Sequence, residues 1–433
     1  VDANAGAYSG AMTTLTAFNV PLPLDNYFQA LKTPQLAASG AKVDKFSFTY
    51  STADWNAFSQ SGQSGGYGTD IALISKTVPR KAVIAYTDPN TPASSPPANL
   101  RRGAEILFID GVDLVNDSTQ AGVNKLNAGL FPQVGDTHTF VVRDAGATST
   151  RSVTLTAQTI TSTPVQNVQT LATPSGKVGY LLFNDHIATS EQLLINAINQ
   201  FKTDGIQDLV LDMRYNGGGY LYIASELAYM IAGPTRTYTN NQSKVFEKLT
   251  FNSKRLAETN ASSSTTPFYN TSCLLNSSFS CTANNALPYL GLSRVYVLTQ
   301  AGTCSASESV VNGLRGVGVD VKTIGGTSCG KPYGFTAKDN CGVSYFPIEF
   351  KGVNALGFGD YSDGFSPTCS VSDDFSKPLG DVTEAQLAGA LKHLSTGACP
   401  SPAVAFDKAQ GTSNTDARYT LLKHPLRWGL IRP

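Results

Sequence analysis

From Lys177 to Ile324 the chain switches back and forth between two periodicities, and no other feature constrains its fold as much. Lys177–Phe183, Asp208–Met213, Arg294–Thr299 and Val321–Ile324 are short apolar runs of the kind that form buried strands. Between them, Ser190–Phe201, Tyr220–Ile231 and Ala306–Arg315 read as helices. In the first of these, Leu193, Leu194, Ala197, Ile198 and Phe201 recur at helical spacing. Strands joined through helices pair largely in parallel, because the crossover returns the chain to the same end of the sheet. An α/β core is therefore expected. Between the second helix and the third strand, residues 235–288 are polar and rich in Asn and Ser, which reads as loops and short strands. Asp381-Val382-Thr383-Glu384 resembles a capping box that opens a last helix running to Leu394.

Upstream the texture differs. Ile71–Ile74, Ala82–Tyr86, Ile106–Ile109, Thr139–Arg143 and Ser152–Thr156 are strand-like, split by Asp88-Pro89, Asp110-Gly111 and Val134-Gly135. Residues 62–160 thus read as one β-rich module with neither cysteine nor a tight carboxylate cluster, which suits binding rather than catalysis. Residues 1–61 read as a small, mostly helical lead-in. There Tyr27, Phe28 and Leu31 lie at helical spacing, and Asp54 is placed as an N-cap before Trp55 and Phe58. Residues 161–433 make up the α/β core and its tail; a chain of 433 residues accommodates such a division into two or three units.

Charge excludes some functions. Lys+Arg and Asp+Glu balance at 32 each, so no global field favours nucleic acid, and none is expected as a partner. No apolar run approaches the roughly 18–20 residues that span a bilayer. Only 15% of residues are charged, the balance being made up by Ser, Thr, Asn and Gly, a composition common outside the cell. Seven cysteines occur with no CxxC pair and only four histidines, so neither zinc nor another metal is expected. The odd count suggests three disulfides and one free thiol. Pairing of sequence neighbours would give Cys273–Cys281, Cys329–Cys341 and Cys369–Cys399, leaving Cys304 free. Any such bond implies an oxidising compartment, periplasmic or extracellular, with or without a lipid anchor upstream of Val1. Asn270-Thr271-Ser272 is a sequon that matters only in a eukaryotic secretory host.

Three segments carry candidate chemistry, each at a strand end. Gly302-Thr303-Cys304-Ser305-Ala306-Ser307-Glu308 joins the third strand to a helix. A serine there sits beside unpaired backbone N–H groups at a positive helix end, which suit an oxyanion. Taken alone, Ser305 would be read as an N-cap. Asp212-Met213-Arg214-Tyr215-Asn216-Gly217-Gly218-Gly219 is a second strand-to-helix junction. Its three glycines permit close backbone approach, and it matches neither phosphate-loop pattern. Gly325-Gly326-Thr327-Ser328-Cys329-Gly330-Lys331-Pro332 follows the fourth strand. A lysine buried in such a turn has its charged form disfavoured, and a neutral amine can take the proton of a serine hydroxyl.

Together these segments resemble the tail-specific, or C-terminal processing, serine peptidases. The nucleophile motif of that family ends in Ser-Ala-Ser-Glu, which maps to Ser305–Glu308; its Gly-Lys maps to Gly330-Lys331; its Asp-Leu-Arg-x-Asn-x-Gly-Gly turn maps to Asp212–Gly219. The resemblance implies a crotonase-like core of ββα units and a Ser305–Lys331 dyad. It also implies an oxyanion hole of Gly218 and Ala306 N–H groups, with no cofactor. It makes the β-rich module PDZ-like, with Gly65-Gly66-Tyr67-Gly68 gripping the C-terminal carboxylate of a protein or peptide substrate. The strand from Thr69 would then pair with that substrate. Many members place a glutamine four positions after the lysine; Phe335 stands there, leaving Tyr333, Asp339 or a backbone carbonyl to orient the amine.

Other readings compete. An α/β-hydrolase esterase would use Ser328 in Gly326-Thr327-Ser328-Cys329-Gly330, with His393 or His424 downstream; Gly62-Gln63-Ser64-Gly65-Gly66 is a second match. His186, after the first strand, is a candidate for lining the substrate site. Cys304 lacks a histidine partner and reads as a small thiol packed behind Ser305. A non-catalytic protein that binds peptides or apolar ligands on the same fold is the alternative of a different class.

Overall fold

The computed structural model describes residues 11–16, 18–36, 42–400 and 419–422. Its centre is a six-stranded sheet whose order follows the chain: β1 (Val165–Thr173), β2 (Gly176–Phe183), β3 (Asp208–Asp212), β4 (Arg294–Thr299), β5 (Asp320–Gly325) and β6 (Cys369–Ser370). β1 runs antiparallel to β2, and β2 to β6 are all parallel. The crossovers are α1 (Ser190–Asp204), α2 (Leu221–Ala232) and α3 (Ala306–Gly316). A final helix, α4 (Ala385–Thr396), covers the other face.

Period-2 alternation along the strands serves two hydrophobic cores. Leu181 and Phe183 of β2, Leu209 and Leu211 of β3, and Val295 and Val297 of β4 pack with Leu194, Ile198 and Phe201 of α1 and with α2 and α3. Val178 and Tyr180, Val210, and Tyr296 and Leu298 point the opposite way, onto Leu387 and Ala390 of α4. Every residue of β3 is buried. The expected α/β core stands, and the segment between α2 and β4 contains the expected short strands, of which Val245–Phe251 is the longest.

The β-rich region is a separate sheet. Thr69–Ser75, Lys81–Thr87, Glu105–Ile109, Thr137–Arg143 and Arg151–Thr156 pair antiparallel in that order, with a helix, Gln120–Leu130, packed on them. Its outer edge is extended by Thr420–Leu422, which lies antiparallel on Thr69–Ser75.

Two local expectations are corrected. The helix Thr52–Ser61 is capped by Ser51, whose hydroxyl accepts from Asp54 N at 3.4 Å, so Asp54 lies in the first turn and is not the N-cap. Glu384, and not Asp381, caps α4, accepting from Leu387 N at 3.1 Å. The lead-in also holds a strand, Phe48–Ser51, antiparallel to Val343–Phe346. Rings on the alternate positions 46, 48 and 50 are what a strand with one apolar face requires.

Candidate functional site

Parallel strands end at one edge of their sheet, and in open α/β sheets that edge is where sites assemble. Here the turns after β2, β3, β4 and β5 all arrive there. They bring His186, Gly217–Gly219, Ser305 and Lys331 to a single cavity of about 580 Å3. Segments more than 140 residues apart in the chain thus meet because the sheet is parallel.

Ser305 stands between β4 and α3 with φ 56° and ψ −118°. For a residue with a Cβ this is a strained conformation, of the kind retained where a side chain must be aimed from a tight strand-to-helix turn. The turn is bolted down from the glycine segment. Cys304 N donates to Asn216 O at 3.0 Å, Ser307 Oγ to the same oxygen at 3.0 Å, and Thr303 Oγ1 to Met213 O at 2.9 Å. Gly218 has φ 95°, and a Cβ there would lie 2.7 Å from Cys304 O, 2.8 Å from Ser305 Cβ and 2.9 Å from Ala306 N. Only glycine fits so close to the serine. The Gly218 N–H donates to Asn216 Oδ1 at 2.9 Å in this state.

Glu308 joins the serine turn to the lysine turn. Its Oε2 accepts from Ser305 N at 3.1 Å and Lys331 N at 2.8 Å; its Oε1 accepts from Gly330 N at 2.9 Å and Ser328 Oγ at 2.5 Å. Burial pushes this carboxyl up, against the lowering effect of the four bonds. The Cys304–Cys329 disulfide ties the same two turns covalently.

The Lys331 amine lies 4.8 Å from the centre of the Phe335 ring and 5.4 Å from that of Phe46. Loss of water among these groups lowers it to about 8, opposed by the nearby Glu308 carboxylate. Of the groups expected to orient the amine in place of a glutamine, Tyr333 and Asp339 line the cavity, but Asp339 accepts from Ser344 Oγ at 2.6 Å. Phe335 itself faces the amine.

The remaining sequence candidates fall as follows. His186 is fully buried, lines the cavity, and has Nδ1 3.0 Å from Asn216 Oδ1. Gly66, Tyr67 and Gly68 lie away from Ser305, beside a smaller cavity of about 80 Å3 at the edge of the β-rich sheet. The Tyr67 hydroxyl is turned inward to Gly129 O at 3.1 Å. Ser328 is corrected. It is buried, donates to Glu308, and accepts from Phe365 N at 2.7 Å, so its hydroxyl is committed to holding loops. No helix follows it, as an α/β-hydrolase turn requires. His393 approaches Tyr296 on the far face, with Nδ1 3.2 Å from the phenol oxygen, and His424 lies outside the described residues. Cysteine pairing is also corrected. The bonds are Cys273–Cys281, Cys304–Cys329 and Cys369–Cys399, and Cys341 is the free, exposed thiol. Cys304, Glu308 and Cys329 cluster closely enough to suggest a metal, but both sulfurs are spent in the disulfide.

Sequence reasoning missed the cavity's aromatic wall: Phe48, Trp55, Phe346 and Phe350, with Glu247 beside them. Burial raises the Glu247 carboxyl to about 7.

A parallel α/β core thus places a strained serine at a strand–helix turn on the same cavity as a lysine whose charged form burial disfavours. Residues 177–337 match the family model described as Peptidase family S41. A carboxyl-terminal-processing protease of Picosynechococcus sp. is 30% identical over 191 residues, 44% of this chain and 44% of the relative. The corresponding protease of Synechocystis sp. is 27% identical over 192 residues, 44% and 43% of the two chains. The chain thus spans less than half the length of these relatives. A solved structure from Bacteroides fragilis, assigned to the S41 proteases, superposes with a TM-score of 0.63 at 25% identity, over 84% of this chain and 91% of that one.

Proposed function

We propose that this chain is a serine endopeptidase that cleaves proteins at or near their C-termini, with Ser305 as nucleophile and Lys331 as general base. One observation carries the reading: an amine lowered to about 8 opens on the same cavity as a serine held in a strained strand–helix turn. Neutral Lys331 Nζ takes the proton as Ser305 Oγ attacks the scissile carbonyl carbon. The oxyanion meets the Ala306 N–H and the Gly218 N–H, the latter exchanging Asn216 Oδ1 for the developing charge. Lys331 then protonates the leaving amine, and the acyl-enzyme is hydrolysed by water that the same lysine deprotonates.

The aromatic wall suits apolar side chains flanking the scissile bond. We assign residues 62–160 the role of a PDZ-like substrate module, 161–433 that of the peptidase core, and 1–61 that of a lead-in completing the cavity wall. Three disulfides support a periplasmic or extracellular setting. Among the described residues no helix is long and apolar enough to cross a membrane.

Hydrolysis of casein by wild type, Ser305→Ala and Lys331→Ala tests the reading. Loss of cleavage in both variants, with thermal melts unchanged, is the expected result. A wild-type chain that binds peptide C-termini without cutting them would replace it with the binding-protein alternative.

A further inference from the structure

A carboxyl buried in an aromatic cavity is costly unless a cation or a set of hydrogen bonds compensates it. Glu247, in the strand Val245–Phe251, is such a group, and the mechanism above leaves it unused. It is 5% exposed and lines the cavity of Ser305 and Lys331. Only the Ser309 hydroxyl offsets its burial, and among the described residues no cation is paired with it.

Its neighbours fix its place relative to the dyad. The strand crosses α3, with the Phe246 ring on Gly313, where a Cβ would lie 2.4 Å away, and with Glu247 one turn nearer the serine, at Ser309. Ser309 N donates to Ser305 O at 2.9 Å. The carboxyl therefore stands roughly one helical pitch of 5.4 Å beyond the serine. On its other side Gly352 makes room, since a Cβ there would come within 2.3 Å of Glu247 Cδ and Oε1. Gly352 N donates at 2.8 Å to the carbonyl of Pro332, the residue after Lys331. Glu247 is thus wedged between the helix that carries the nucleophile and the turn that carries the lysine.

The cavity favours a positive guest. Of the charged side chains around it, Asp185, Glu247 and Asp339 are acidic and Lys331 is basic. The rings of its wall also attract cations through their faces. A lysine or arginine side chain suits both features, because its methylene stem lies on apolar surface while its head takes an acceptor.

We propose that Glu247 is the floor of a subsite that receives a lysine or arginine side chain of the substrate, next to the bond cut at Ser305. Its carboxylate takes the cationic head, and Ala306, Pro332 and the aromatic wall take the stem. The assignment rests on the peptidase reading and gives it a substrate class, chains with a basic residue beside the scissile bond.

Binding and cutting are read separately. Full-length chains carrying Ser305→Ala are titrated with two fluorescein-labelled peptides, each a lysine or a norleucine flanked on both sides by four alanines. Fluorescence polarisation is read at pH 8, above the Glu247 value of about 7. The lysine peptide should bind at least about tenfold more tightly, as a desolvated charge pair warrants. Glu247→Gln, which keeps the shape and removes the charge, should bring the two affinities to within about twofold. In parallel, casein cut by the wild type is mapped by mass spectrometry. New termini should cluster at lysine and arginine, and Glu247→Gln should move them to apolar positions. The lysine–norleucine comparison carries the test by itself if the Glu247→Gln chain loses its cooperative melt. A wild type inert on casein, whose Ser305→Ala form still prefers the lysine peptide, would sink the peptidase reading and leave Glu247 as a binding site for basic segments. Equal binding of the two peptides, a ratio that Glu247→Gln leaves unchanged, or cuts that ignore basic residues would overturn the subsite.

Discussion

In the proposed mechanism, Lys331 is the group whose ionisation sets the working pH. Its amine must be neutral to accept the Ser305 proton, and burial brings it to about 8 from an ordinary lysine value of 10.5. The neutral fraction grows as pH rises, so kcat/KM on a peptide substrate should climb about tenfold per unit below pH 8 and level off above it. A profile flat from pH 6 to 10 would remove Lys331 as the base. Gly218 makes a second prediction at this scale. Gly218→Ala places a methyl group 2.7–2.9 Å from atoms of Cys304, Ser305 and Ala306, at a φ of 95° that alanine resists. Strain and crowding together should cost about 2–4 kcal/mol. Thermal melting and casein hydrolysis should show a destabilised chain that has lost cleavage even where it is still folded. Retained activity would mean that the backbone beside Ser305 is not as tightly set as the contacts indicate. These residues were legible in the sequence because each stands in a glycine-bearing turn after an apolar run. That Phe335 stands in place of the expected glutamine was legible too; that its ring packs against the amine was not, since the contact is made through space.

At the level of elements, α1 and α2 carry an acidic pair that the mechanism does not use. Glu191 accepts from Cys273 N at 2.6 Å and Leu274 N at 2.8 Å, anchoring the Cys273–Cys281 loop. Glu226 lies against it; burial, and then the Glu191 charge, raise its carboxyl to about 9. A carboxyl raised on folding contributes stability that is fully present below the unfolded value of 4.5 and is lost as pH climbs towards 9. Glu226→Gln should therefore gain on wild type as pH rises from 5 to 9, by roughly 2–5 kcal/mol in urea unfolding. A pH-independent difference would show that Glu226 ionises normally. What could be read at this scale follows from the same geometry. Strand and helix identities in the core were plain because period 2 and period 3.6 alternate there. The disulfide partner of Cys329 was misassigned because nearness in sequence favoured Cys341. Adjacent parallel strands β4 and β5 instead lay their C-terminal turns side by side and put Cys304 next to it. The strand Phe48–Ser51 could be foreseen from its alternating rings, whereas its partner Val343–Phe346, nearly 300 residues away, left no local trace.

The whole molecule is held together by a buried charge network between the β-rich module and the core. Arg102 of the module bonds Asp373 Oδ1 at 2.5 Å, the Tyr215 hydroxyl at 2.5 Å and Lys377 O at 3.0 Å. Arg214, fully buried, spans Asp212, Asp373 and Glu384. Burial alone would raise Asp373, but the two guanidinium groups outweigh it and bring the carboxyl to about 2. This carboxylate also receives the Tyr215 and Tyr419 hydroxyls, so one acidic group serves the glycine turn, the module and the strand on its edge. Removing Arg102 withdraws one of its two cations and strips the module of its charged bond to the core. Such a change costs about 3–5 kcal/mol where a buried partner is left uncompensated, and somewhat less here because Arg214 stays. Arg102→Met should accordingly lower stability by about 2–4 kcal/mol and raise Asp373 towards its ordinary value. The lost stability would be full at neutral pH and would shrink as pH falls from 3.8 towards 2, since a depressed carboxyl contributes above its unfolded value of 3.8 and loses that contribution as pH falls through about 2. Unfolding followed by tryptophan fluorescence in a Trp428→Phe background, which leaves Trp55 to report the cavity wall, should then separate from unfolding followed by far-ultraviolet circular dichroism. Coincident transitions at the wild-type midpoint would show that module and core are coupled through their apolar contacts, and that the arginine adds only orientation.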